Sequence, residues 1–158
     1  MMKMNIGMLC DNKLNSVINY IMNSNVSDIT PKKLQHLLYY SYIWNLTLNN
    51  KILFNNCFKA GIHGPVIREV DNKFNRYRGI NIPTKLFNSD YILSDDEIDI
   101  INQVLNIYGK FNGNELESIS TKELPWVDAR QHISPIQMSN NQISNESIYD
   151  FYSKNIKE

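Results

Sequence analysis

The chain has 158 residues, 42% hydrophobic and 11% aromatic, and its 16 Lys and Arg balance 16 Asp and Glu. No apolar run approaches the roughly 18 residues of a membrane-spanning helix, and zero net charge argues against nonspecific phosphate binding as the main task. Cys10 and Cys57 fit neither a disulfide framework nor a metal-ligand spacing, and with no signal-peptide pattern this points to a reducing cytoplasm.

Asn occurs 23 times and Ala only twice. The Asn residues are scattered among periodic apolar positions, so they report codon bias of the host rather than a prion-like tract. Charge is divided along the chain: residues 1–89 hold 11 basic and 4 acidic residues, and residues 90–158 hold 5 and 12. Halves so patterned either neutralise one another within one domain or leave a basic and an acidic face for partners.

Residues 1–13, with Met at 1, 2, 4 and 8, read as a loose leader, and residues 14–158 as one domain without internal repeats. Leu14, Val17, Ile18 and Ile21 recur at helical spacing and predict a short amphipathic helix. Thr30 can cap free amides and Pro31 loses no hydrogen bond at a first helical position, so a longer helix should run from there to about Asn49. Its apolar residues Leu34, Leu37, Leu38, Tyr42 and Leu48, with Trp44 beside them, cover more than one stripe, which predicts the central helix. Asn49-Asn50 marks a turn.

Ile52-Leu53-Phe54 and Phe58-Lys59-Ala60, split by Asn55-Asn56, predict a small β-hairpin near residues 52–60. In Gly61-Ile62-His63-Gly64-Pro65-Val66 the glycines permit unusual backbone angles, and Pro65 is placed to open the next helix. That helix should turn Val66, Val70, Phe74 and Tyr77 inward and present Arg68, Glu69, Asn72, Lys73 and Arg76, ending at Gly79. Ser94-Asp95-Asp96-Glu97 is a capping-box pattern ahead of a helix whose main face is Ile98, Ile101, Leu105 and Tyr108. Ile100, Val104 and Ile107 widen that face, and Gly109 lies at its expected end. Asn112 with Glu115 repeats the capping logic ahead of Leu116 and Ile119. Pro125 opens a helical turn through Trp126, Ala129 and Arg130, and Ser144 caps a last helix bearing Ile148, Phe151 and Tyr152. The expectation is a mainly α fold of about six helices.

No phosphate-cradling glycine loop, nucleophile elbow or zinc spacing occurs, so no catalytic residue, cofactor or metal site is expected. Cys57 and His63, with Asp71 as orienter, form the nearest approach to a thiol–imidazole pair, but Cys57 reads better as a small buried hydrophobe. His36 reads as a satisfied, partly buried histidine and His132 as a solvated loop residue. Asp95, Asp96, Glu97 and Asp99 surround a helix start, which capping explains better than cation binding. Lys73, Arg76 and Arg78 with Tyr77 interleaved make the best basic patch, with Lys32-Lys33 a second; Glu69 and Asp71 dilute it.

Three segments carry a resemblance. Lys32-Lys33-Leu34-Gln35-His36-Leu37-Leu38-Tyr39-Tyr40, then Phe58 through Gly64-Pro65-Val66-Ile67-Arg68-Glu69-Val70, then Glu115-Leu116 through Pro125-Trp126-Val127-Asp128-Ala129-Arg130 together resemble the Panacea domain, the SocA-like antitoxin family, over residues 14 to 155. The family often has Trp and Tyr at the positions of Gly61 and His63, and a His at that of Thr121. The resemblance implies a mostly helical domain that binds and neutralises a cognate protein toxin encoded beside it. It also implies a kinship with phage-associated GepA-like proteins, and with adaptors that deliver a toxin to a protease complex.

Under that reading Arg68, Glu69, Asn72, Lys73 and Arg76 bind the partner, while Gly64, Pro65, Val66, Val70, Pro125 and Trp126 hold the structure. The alternative is a phage or mobile-element regulator that binds nucleic acid through the stretch from Lys73 to Arg78.

Overall fold

In the computed structural model, which describes residues 6–131 and 133–156, everything is arranged around α2 (Pro31–Asn49). Thr30 caps it as expected, its side chain accepting from the Lys33 amide, and Asn50 closes it in the left-handed conformation at φ 58. Thirteen of its residues are buried, among them the polar Lys33, Gln35, His36, Ser41, Asn45 and Thr47, because neighbours cover nearly its whole circumference. Those neighbours are α1 (Ile6–Met22), α3 (Arg68–Phe74), α4 (Asp95–Tyr108), α5 (Gly113–Ser120), α7 (Asn145–Ser153) and the strand β2 (Gly64–Val66).

The remaining elements are β1 (Lys59–Gly61), α6 (Leu124–Ala129) and short 3-10 turns at Asn75–Tyr77 and Thr84–Leu86. Seven α-helices and one two-stranded antiparallel sheet, among the described residues, make a mainly α fold. Ser94 with Glu97 and Asn112 with Glu115 both form reciprocal capping boxes, as their spacing predicts.

The core joins Val17, Ile18 and Ile21 of α1 to Leu34, Leu37, Leu38 and Ile43 of α2, Ile101 and Val104 of α4, Leu116 of α5 and Ile148 of α7. Aromatic rings extend it at one end. Tyr40 stacks on Tyr108 at 4.0 Å, and the hydroxyls of Tyr40 and Tyr152 donate to the same Glu123 carboxylate oxygen at 2.7 and 2.6 Å.

Several expectations need correction. α1 starts at Ile6, within the stretch read as a leader. The hairpin lies at 59–66, not 52–60, because Leu53, Phe54 and Phe58 are all buried together rather than alternating between two faces. Pro65 therefore sits in a strand, and α3 begins only at Arg68 with Ile67 as its N-cap. Leu48 and Ile107 project into solvent past the ends of the packed faces, at 48% and 56% exposure. Cys57 is exposed rather than a buried hydrophobe. His132 lies outside the described residues.

Candidate interaction surface

The hairpin is held from both sides by side chains of the three motif segments. Gly61 pairs with Gly64 across Ile62-His63, and Gly64 takes φ +112, a conformation that glycine adopts without strain. Glycine is needed there for space as well: a Cβ would stand 2.7 Å from His36 Nε2 and 3.1 Å from Ser120 Oγ. Pro65, with no amide proton to offer, occupies the middle of the edge strand, where a missing donor costs least. Beyond the strand, Gln35 reads the backbone of Ile67 twice. Its Nε2 donates to the Ile67 carbonyl at 3.0 Å, and its Oε1 accepts from the Ile67 amide at 2.9 Å.

His36 is fully committed. Its Nδ1 lies 2.9 Å from the Lys32 carbonyl, which can only accept, so Nδ1 carries the proton and Nε2 accepts from the Ser120 hydroxyl at 2.9 Å. Burial holds its pKa down at about 4, so the ring is neutral at physiological pH. From the other side Trp126 Nε1 donates to the Gly61 carbonyl at 2.9 Å, and the guanidinium of buried Arg130 donates to the Ala60 carbonyl at 2.8 Å. Arg130 also stands over the Trp126 ring, 5.3 Å from its centroid. The sequence marks Trp126, Gly64 and Pro65 as structural; it gives no sign that Gln35, Ser120 and Arg130 share the same task, because their partners are backbone groups or residues far along the chain.

α3 leaves this hairpin and separates two grooves. On one side a groove of about 480 Å³ lies between α1 and α3, with Lys73, Phe74, Arg76 and Tyr77 on one wall and Asn15, Ile18 and Asn19 on the other. On the other side a groove of about 310 Å³ runs between the start of α2, the hairpin and α3, and includes Arg68. The expected partner-binding set is thus split. Lys73 and Arg76 share the first groove, Arg68 belongs to the second, and exposed Glu69 and Asn72 line neither.

Among the described residues, Arg68, Lys73 and Arg76 form no ion pair, whereas Arg78 meets Asp71 at 3.3 Å and Lys32 meets Glu117 at 2.6 Å. Burial works against the Glu117 carboxylate, but hydrogen bonds from Lys32 and His63 outweigh it and hold its pKa below the ordinary value. No group of three or more His, Cys, Asp or Glu among the described residues is placed to hold a metal ion. No described helix is long and apolar enough to cross a membrane.

The family described as Antitoxin SocA-like, Panacea domain, matches residues 34–127, more than half of the chain. The chain belongs to that family. Neither the curated proteins nor the solved structures contain a match. The matched span of this Panacea domain runs from the helix that carries Gln35 and His36, through the hairpin and α3, to Trp126. These motif residues therefore meet in space at one place, the Gly61–Gly64 turn and the strand after it.

Proposed function

We propose that this Panacea domain is an antitoxin that binds a cognate protein toxin through α3 and the 3-10 turn after it, with Arg68, Glu69, Asn72, Lys73 and Arg76 as the contacting residues. The observation that carries this reading is that a rigid scaffold presents unpaired cations. The hairpin in front of α3 is pinned by Gln35, Trp126 and Arg130, while Arg68, Lys73 and Arg76 have no carboxylate partner among the described residues. Arginines beside a groove with apolar walls, as Arg68 is here, are frequent anchors of protein recognition, and neutralisation needs only about 1,600 Å² of matched surface in total. Family membership supports the antitoxin role, and the exposed thiol of Cys57 supports a reducing compartment.

Co-expression with the product of the adjacent gene tests this. Growth arrest by that product alone, relieved by this chain and restored by the double charge reversal Lys73→Glu with Arg76→Glu, is the expected result. Arrest that persists with the wild-type chain abundant would sink the assignment. The level of toxin in protected cells distinguishes the two modes: simple occupancy leaves it constant, and delivery to a protease lowers it. Nucleic-acid binding through the stretch from Lys73 to Arg78 is the rival, and retardation of DNA at low salt by the purified chain would favour it.

A further inference from the structure

The loop after α6 is built by two arginines. Arg130, only 5% exposed, donates to the carbonyls of Ser134 and Gln137 at 2.7 Å each, in addition to its bond with Ala60. Arg68 donates to the Ser139 carbonyl at 3.0 Å and to the Asn140 side chain. A loop held at both ends by guanidinium groups loses little conformational entropy on binding. Among the side chains it displays are two large apolar ones: Ile136 is 85% exposed and Met138 71%.

Scattered apolar residues on a surface mean little, but Met138 is not isolated. It forms a wall of the 310 Å³ groove, with Ile62, Pro65 and Val66 of the hairpin opposite. Methionine's unbranched, polarisable side chain suits a surface that must adapt to a ligand.

Charge selects the ligand. Beside the neutral ring of His36 and the exposed His63, the lining holds three cations, Lys32, Arg68 and Arg78, against one acid, Asp71. Lys32 and His63 are engaged by Glu117, and Arg78 by Asp71. Arg68 meets only neutral oxygens. The first turn of the 19-residue α2 also contributes Pro31 and Lys32 to the lining, and that end of a helix is electropositive.

We propose that this groove docks a segment of the partner protein in which an apolar side chain lies beside an Asp or Glu, the apolar group entering between Met138 and the hairpin and the carboxylate pairing with Arg68. The proposal rests on the reading of this chain as a binding protein and names the chemistry of the segment that it binds.

Panning a library of random dodecapeptides displayed on phage against the full chain tests it. The expected peptides place an aliphatic or aromatic residue within a few positions of Asp or Glu. Met138→Asp, a change on an exposed loop, should weaken them about tenfold. Ile62→Asp, at the hairpin tip, gives a second reading from the opposite wall, and melting curves establish that both variants fold. Arg68→Glu should shift the preference toward Lys- and Arg-containing peptides. Basic peptides enriched on the wild-type chain, or peptides bound equally by the folded Met138→Asp and Ile62→Asp variants, would overturn the proposal. So would self-association of the chain that Met138→Asp abolishes, because the occupant would then be a second copy. The antitoxin reading fails separately: if the wild-type chain selects the expected peptides yet gives no protection against the adjacent gene product, the groove stands and that reading falls.

Discussion

The ring of His36 lies so close to Gly64 that a single added methyl group at Gly64 would come within 2.7 Å of Nε2. This contact joins α2 to the hairpin, and it explains why an otherwise ordinary turn requires glycine. Gly64→Ala should destabilise by about 2–4 kcal/mol, since it combines an unfavourable positive φ with a clash against a fully buried ring. Gly79 provides the comparison, with φ +82 and nothing within 4 Å of its would-be Cβ. Gly79→Ala should cost only about 1 kcal/mol, from backbone conformation alone. Urea denaturation of the two variants measures the difference; equal losses would show that the contact with His36 is unimportant.

Acidification should act through the same ring. His36 has a pKa lowered to about 4 in the fold from 6.5, so between those values the unfolded chain binds the proton that the folded chain refuses. Stability from this group is complete above pH 6.5 and declines as pH falls through that window, by up to about 1.4 kcal/mol per pH unit. A His36→Gln variant should be less stable at pH 7, because the bonds to Lys32 and Ser120 are lost, but its pH profile should be flatter. Parallel profiles from pH 7 to 4 would refute the assignment.

Glu123 predicts the opposite slope. Burial raises its carboxyl above the ordinary value, against the hydrogen bonds donated by Tyr152 and Tyr40. A raised carboxyl binds more protons folded than unfolded, so stability from this group falls as pH rises above 4.5 through the folded value. Glu123→Gln keeps an acceptor oxygen for both tyrosines and removes the buried charge. It should be at least as stable as wild type at pH 7, with the advantage shrinking toward pH 4. A large loss in thermal midpoint at pH 7 would mean that the tyrosines need the ionised form.

Arg130 is predicted to control the 133–140 loop rather than the helical core. Lysine cannot reproduce the planar fork that reaches the Ala60, Ser134 and Gln137 carbonyls together. Arg130→Lys should cost about 2 kcal/mol and speed amide exchange in the loop and β1 while leaving α4 protected. Uniform acceleration across α4 as well would show instead a general loss of stability.

Local chemistry made the helices legible. Thr30-Pro31, the boxes at Ser94–Glu97 and Asn112–Glu115, and Ser144 each cap the helix that their spacing announces, because capping is settled within four residues of chain. The hairpin was displaced for the converse reason. Whether Leu53 and Phe54 alternate as a strand or point together into a core depends on Tyr42 and Phe58, which surround Phe54 at 5.2 and 6.1 Å. Pro65 is equally ambiguous in sequence, since an edge strand tolerates it as readily as a first helical turn.

The amino-acid order alone determined that this is a mainly α protein built on a capped central helix, because periodicity and capping act between residues a few positions apart. Which residues cooperate was decided by folding. Gln35, His36, Ser120, Trp126 and Arg130 come from three stretches of chain yet meet one hairpin, and of the outward set Arg68 lines one groove while Lys73 and Arg76 line another. Hydrogen bonds to backbone carbonyls and amides leave no mark on the identity of the residue that supplies them, so only the packed structure could reveal that Arg130 shapes the loop carrying Met138.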